Sequence, residues 1–140
     1  MSSDIALARA ELAARLATIA PVLTGRAALE TTSATLPVIT IFDIGDSPVQ
    51  PQGFATPQYT RQLTAEYKAV ASAAYDADMD EVLHSIRAAL KPKIGEPVLP
   101  HATAIRETAV RFFAPAITEA GASSICSLQI SFEIDYLERL

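Results

Sequence analysis

The chain has few of the residues on which metal sites and disulfides depend. Its 140 residues include one cysteine, two histidines and no tryptophan. The single cysteine, Cys126, excludes an internal disulfide, and a reducing compartment is therefore expected. His84 and His101 are too few, and too far from other His or Cys residues, to supply a zinc site. The sequence thus predicts no metal centre.

Glycine is also sparse, and the five glycines are never closer than eight positions to one another. That spacing excludes a phosphate-cradling loop and a dinucleotide-binding fingerprint. The chain also lacks the Gly-x-Ser-x-Gly pattern of a nucleophile elbow. We therefore expect no cofactor, and nothing in the sequence supports an enzyme.

Basic residues are fewer than acidic ones, and the apolar runs are short. The chain has 11 basic and 16 acidic residues, which gives a net charge of −5. An acidic surface repels phosphates, so no nucleic-acid binding through phosphate neutralisation is expected. No apolar run approaches the roughly 20 residues of a membrane helix, and Asp4 and Arg9 interrupt any signal-like stretch. We expect no membrane contact.

What the chain does have is enough apolar material for one core. Half of the residues are hydrophobic, and a chain of this length is typical of one domain, here residues 1–140. Apolar residues at helical spacing predict two helices, and alternating or β-branched stretches predict three strands. The predicted elements, in chain order, are helix Asp4–Ala20, strand Leu36–Ile44, strand Tyr59–Ala73, helix Asp76–Leu90 and strand Leu128–Tyr136. This order predicts an α+β domain whose mostly antiparallel sheet carries the two helices on one face.

Residues 102–116 have an ambiguous pattern. Ile105, Ala109 and Phe112 suit a helix, whereas Thr108, Val110 and Phe112 suit a strand. Periodicity alone leaves both assignments open.

Residues 45–58 are predicted to form a long loop because they contain three prolines and two glycines. Val49, Phe54 and Tyr59 lie in or beside this loop. Apolar groups on a long loop often mark a contact that forms only in a complex. Two interpretations remain equal: an assembly contact made by these three residues, or an insertion that folds back on the domain.

Three other groups of residues have a simple structural interpretation. The run Asp76, Asp78, Asp80 opens like a calcium loop, but the glycine and the closing glutamate of that motif are missing. These acids instead suit the first turn of a helix. Asp43 and Asp46 are expected in a turn, and Cys126, in step with the apolar side of its strand, is expected in the core.

The arrangement of elements resembles the phage tail terminator family, the minor tail proteins that complete the tail tube. The resemblance rests on the N-terminal helix Asp4–Ala20, the strand Leu36–Asp43, a long strand followed by the acid-started helix at residues 78–83, and the closing strand Leu128–Tyr136. It implies that residues 104–113 form a strand paired with the last one. None of these pieces is a catalytic signature.

The resemblance implies a structural role. Members of the family form a hexameric ring on the tail tube, end its polymerisation and present a surface to the head–tail connector. The implied partners are therefore copies of the chain itself, the tail tube protein and the connector. The implied location is the virion tail, with assembly in the host cytoplasm, and DNA would pass through the ring without specific binding.

Two alternatives remain open from the sequence. One is a head–tail connector or neck protein of similar size, which would bind the head portal rather than the tube. The other is a small ligand-binding or adaptor domain, which would need a concave pocket or a loop that binds a peptide.

Overall fold

The computed structural model describes residues 3–25, 36–49, 57–92, 95, 97–113 and 124–138. Two helices and five strands lie within these residues. In chain order they are α1 (Asp4–Leu16), β1 (Val22–Thr24), β2 (Val38–Pro48), β3 (Gln58–Val70), α2 (Tyr75–Ala89), β4 (Ala104–Phe113) and β5 (Ile125–Leu137).

The strands form one sheet in the order β1-β2-β3-β5-β4. The pairs β2–β3, β3–β5 and β4–β5 are antiparallel, and the short β1 pairs with β2 in parallel. The longest pairing joins all of β3 to β5, from Gln58 opposite Leu137 to Val70 opposite Ile125. The predicted mostly antiparallel α+β fold is confirmed.

Helix α1 starts where Ser3 caps it, since the Ser3 hydroxyl accepts the backbone N–H of Ala6 at 3.3 Å. Its apolar stripe is buried, and Leu12 and Leu16 are fully covered. The helix ends at Leu16 rather than at the predicted Ala20. The β-branched residues that follow are poor helix formers, and the Thr18 hydroxyl donates instead to the carbonyl oxygen of Arg15 at 2.8 Å.

Helix α2 lies on the same face of the sheet as α1. Its buried residues Met79, Leu83 and Ile86 share one hydrophobic core with the stripe of α1. The sheet supplies every second residue of β5 to that core, namely Cys126, Leu128, Ile130, Phe132, Ile134 and Tyr136. Both helices therefore pack on one face, as predicted, because only that face of the sheet is apolar throughout.

The ambiguous segment is a strand. Residues Ala104–Phe113 pair with β5 from Asp135 to Ser127, with one irregularity between Glu107 and Ala109. Hydrogen bonds to β5 satisfy backbone N–H and C=O groups of β4. Neither of the two competing periodicities could reveal this pairing, because it joins segments that are distant in the chain. This agrees with the assignment that the resemblance implied.

The predicted loop at 45–58 is shorter than expected at both ends. Strand β2 continues through Pro48, and β3 begins at Gln58, so only residues 49–57 connect the two strands. The prediction that breakers exclude a strand at 45–48 was wrong. The antiparallel hairpin with β3 holds this stretch extended, and Pro48 stands at the end of the strand, where its missing N–H is tolerated.

Cys126 lies in the core, which confirms the prediction. Only 1% of the residue is exposed, and its thiol is 3.5 Å from the carbonyl oxygen of Ala69, to which it donates. Burial raises the pKa of the Cys126 thiol.

The Cys126 thiol is therefore expected to be unreactive in the folded protein. Its raised pKa keeps it protonated at neutral pH, and its burial keeps reagents away from the sulfur. A maleimide reagent at neutral pH should label the native chain only as fast as the chain unfolds. The denatured chain, labelled under the same conditions, gives the reference rate. Native labelling at the denatured rate would contradict a buried thiol.

Candidate assembly surface

The three residues predicted to make assembly contacts have different environments. Val49 follows the end of β2, and its backbone N–H donates to the carbonyl oxygen of Gln58 at 2.9 Å. Tyr59 lies within β3, where its ring stacks on Tyr136 with centroids 6.0 Å apart. Phe54 lies outside the described residues. The structure thus places Tyr59 against the hydrophobic core of its own chain.

A β-bulge in β2 brings two carboxylates to the same face of the sheet. The register shifts between Asp43 and Gly45, so Ile44 is the extra residue and is 64% exposed. Asp43 and Asp46 then both reach Arg61, whose Nε lies 2.7 Å from Asp46 Oδ2. They were expected in a turn bonding their own backbone, which was wrong, because the hairpin extends through both.

The cluster formed by Asp43, Asp46 and Arg61 also connects α1 to the sheet. Arg9 of α1 forms a bidentate ion pair with Asp43, and its Nε donates to Asp43 Oδ1 at 3.0 Å. Burial raises the pKa of Asp43, but the hydrogen bonds and charges of Arg9 and Arg61 outweigh it and hold that pKa below the ordinary value. The Tyr136 hydroxyl donates to Asp46 at 2.6 Å, and burial together with this bond raises the pKa of Tyr136 to about 12. Each carboxylate has a partner, so this cluster is structural.

Strand β4 is the margin of the described sheet. One edge pairs with β5, and no described strand pairs with the other. Eight of its ten residues are exposed, the exceptions being Ile105 and Val110. A long exposed edge presents a row of backbone N–H and C=O groups that another strand can bond.

Four large apolar side chains are exposed at one end of the sheet, which we call the end patch. Its members are Val70, Phe112, Phe113 and Ile125, each between 39% and 53% exposed. They lie at the same end because Val70 is opposite Ile125 in the β3–β5 pairing, and Phe112 and Phe113 are opposite Leu128 and Ser127 in the β4–β5 pairing. By strand alternation Phe112 is on the helix-covered face, and the other three are on the opposite face. Clustered exposed apolar groups mark interaction sites more often than single ones do.

A concavity of about 310 Å³ lies beside the end patch, between the start of α2 and the ends of β4 and β5. Its apolar lining includes Met79, Phe112 and Phe113. Asp76 and Asp80 also line it, and because both residues are exposed they belong to its solvent-facing rim. The run of acids that began like a calcium loop is the first turn of α2 and the residues just after it. Within the described residues, no group of three His, Cys, Asp or Glu side chains is placed to hold a metal ion.

Sequence reasoning missed the end patch, although one signal was present. Two consecutive phenylalanines in a strand point to opposite faces, so the helices can cover at most one of Phe112 and Phe113. Reading the pair this way required residues 102–116 to be a strand, which the pattern left open. The structure shows both side chains exposed, because β4 lies at the margin of the described sheet.

Among the described residues, neither helix has the length and apolar character needed to cross a bilayer. No protein-family model matches the sequence, and no curated protein is similar enough to count as a match.

Proposed function

We propose that this chain is a structural protein of a phage or prophage tail. Several copies, six in the family it resembles, form a ring on the end of the tail tube and stop its polymerisation. The ring then presents a surface to the head–tail connector. No enzymatic activity, metal or cofactor is part of this proposal.

The observation that carries the proposal is the exposed margin of the sheet. Strand β4 offers an edge with which no described strand pairs, and the end patch lies where β4 finishes. Soluble monomers usually shield such an edge with charges, bulges or a covering element. The middle of β4 is shielded in this way, by the irregularity after Glu107 and by the charges of Arg106 and Glu107, whereas its tip carries two aromatic side chains. A strand whose exposed tip carries Phe112 and Phe113 is better explained by a neighbour that covers it in an assembly.

The charge of the chain is compatible with a ring that DNA crosses. The net charge is −5, and the acids at the start of α2 are exposed. A lumen with excess negative charge would let DNA pass without binding it. This supports the same proposal.

The test is a tube-capping assay with the tail tube protein of the same phage or prophage. Tubes polymerised in the presence of this chain are expected to be shorter, with a ring visible at one end by electron microscopy. Native mass spectrometry should detect a ring-sized species, which for the hexamer of the family it resembles is six times the 14.9 kDa chain. Uncapped tubes of unchanged length would contradict the proposal, and binding to the head portal alone would favour the connector alternative.

Variants of exposed residues show whether the end patch takes part. Phe112→Lys should abolish capping while the chain stays folded, since this side chain is 53% exposed. Ile44→Lys is the matched control, because Ile44 is 64% exposed on the bulge of β2 and not in the end patch. Phe54→Ala tests the connecting loop separately. Normal capping by that variant would remove the loop from the proposed interface.

A further inference from the structure

The two ends of helix α2 have opposite charge. Asp76, Asp78, Asp80 and Glu81 are exposed near its N-terminus. Within the described residues, none of the four forms a salt bridge, and Asp78 accepts only the neutral hydroxyl of Ser72 at 2.6 Å. This end of the helix therefore carries negative charge that no salt bridge with a described residue neutralises.

The C-terminal end of α2 gathers cations. Arg15 of α1 reaches across to it, and its Nη1 donates to the carbonyl oxygen of Ala89 at 3.0 Å. Lys91 follows the helix and is exposed. Arg87 is paired with Glu107 at 2.7 Å, so it adds no net charge. Fifteen residues at 1.5 Å each separate the two ends by about 22 Å.

The acidic end has a shape as well as a charge. It borders the 310 Å³ concavity, whose apolar lining, here called its floor, consists of Met79, Phe112 and Phe113. An apolar floor with carboxylates at the rim suits a lysine side chain. The methylene groups can pack on the floor while the ammonium group stays at the rim with Asp76 and Asp80. An ammonium group near an aromatic ring gains a further cation–π attraction.

We propose that this concavity binds the Lys91 end of α2 from a second copy of the chain, so that copies associate head to tail. This inference rests on the proposed ring, and it names the surfaces that meet in it. The occupant follows from charge complementarity. Lys91 is an exposed cation, and the rim of the concavity supplies carboxylates that form no salt bridge with a described residue.

The same charges disfavour a two-fold contact through either end. Two acidic ends facing each other would oppose Asp76 and Asp80 to their own copies, and two basic ends would oppose Lys91 to Lys91. Like charges placed opposite one another are destabilising. A head-to-tail contact joins two different surfaces, which is the type of interface that generates a ring when the rotation between copies closes. A two-fold pair of antiparallel α2 helices would satisfy the same charges twice, so an assembly that stops at a dimer would overturn the head-to-tail contact.

A charge-swap experiment on the full chain tests this contact. Asp80→Lys and Lys91→Glu should each weaken self-association at least about tenfold, because each variant opposes like charges. Mixing the two variants should restore association, since the new lysine of the first variant then receives the new glutamate of the second. The double variant Asp80→Lys/Lys91→Glu should also associate. The readouts are native mass spectrometry and sedimentation velocity over a concentration series.

Matched controls place the same new charges elsewhere. Gln62→Lys and Gln62→Glu alter an exposed residue of β3, outside α2 and outside the concavity. Both should associate like the unaltered chain. Added salt should weaken association of the unaltered chain and of the mixture alike, because the contact depends on exposed charges.

Four outcomes would overturn the head-to-tail contact. They are undiminished association of both single variants, failure of the mixture to recover, an assembly that stops at a dimer, and a monomeric unaltered chain up to millimolar concentration. None of these outcomes decides whether the chain caps tubes, which the assay above measures independently. Conversely, a chain that self-associates as expected but leaves tubes uncapped would retain this contact and lose the proposed function.

Discussion

Replacing Ile130 by alanine should lower the free energy of unfolding by about 2–5 kcal/mol. Ile130 is fully buried at the centre of β5, opposite Ala65 of β3 and Val110 of β4. The change removes apolar contacts and leaves a cavity that neighbours on three strands cannot easily fill. Chemical denaturation followed by circular dichroism measures the loss.

Ile44→Ala is the control for this prediction. It deletes the same atoms from a side chain that is 64% exposed on the bulge of β2, and it should change the stability by less than about 0.5 kcal/mol. Equal losses at the two positions would show that the helix-covered face of β5 is not the core. An Ile130→Ala chain that fails to fold at all would agree with the prediction, provided that Ile130→Val folds with a smaller loss.

Replacing Asp43 by alanine should cost about 1–2 kcal/mol, the second largest expected effect. Asp43 accepts bonds from Arg9 of α1 and Arg61 of β3, so its loss removes the ionic link between α1 and the sheet. The estimate stays modest because the side chain is 32% exposed and solvent screens the pair. Glu81→Ala, which removes an exposed acid with no salt bridge to a described residue, is the control and should be close to neutral.

The dependence of this effect on pH has a definite sign. The folded-state pKa of Asp43 lies below its ordinary value of 3.8. Its contribution to stability is therefore complete above about pH 4 and is lost as the pH falls through the lower, folded-state pKa. The free energy of unfolding of the unaltered chain should drop in this acidic window.

The Asp43→Ala chain should show a shallower drop over the same window. Some drop remains, because arginine partners also lower the pKa values of Glu107 and Asp135. Urea titrations at several pH values spanning this window compare the two chains. Parallel curves for the two would mean that Asp43 is not ionically linked in the folded state.

Much of the fold followed from local pattern. The alternation from Leu128 to Tyr136 predicted a strand with one buried side, and the structure buries every second residue there. The helical spacing of Met79, Leu83 and Ile86 likewise predicted the buried face of α2. Such patterns are reliable because each element buries one side, and the spacing of its own apolar residues shows which side that is.

Other features depended on pairing partners that lie far away in the chain. Residues 104–113 have no decisive periodicity, and β5 determines that they form a strand. Pro48 and Gly45 suggested a loop, whereas β3 holds them in a hairpin. The three-residue β1 carries too little pattern to be predicted, and it exists through its pairing with β2.

The candidate surface shows the same division. The sequence determined that the chain is acidic, that it has one cysteine, and that acids begin one helix and lysines follow it. The tertiary structure decided that β4 is the margin of the described sheet, that the end patch gathers from three strands, and that this patch lies beside the acids of α2. The reason is physical. Charge and periodicity are properties of neighbouring residues, whereas exposure depends on which strand the sheet leaves at its edge.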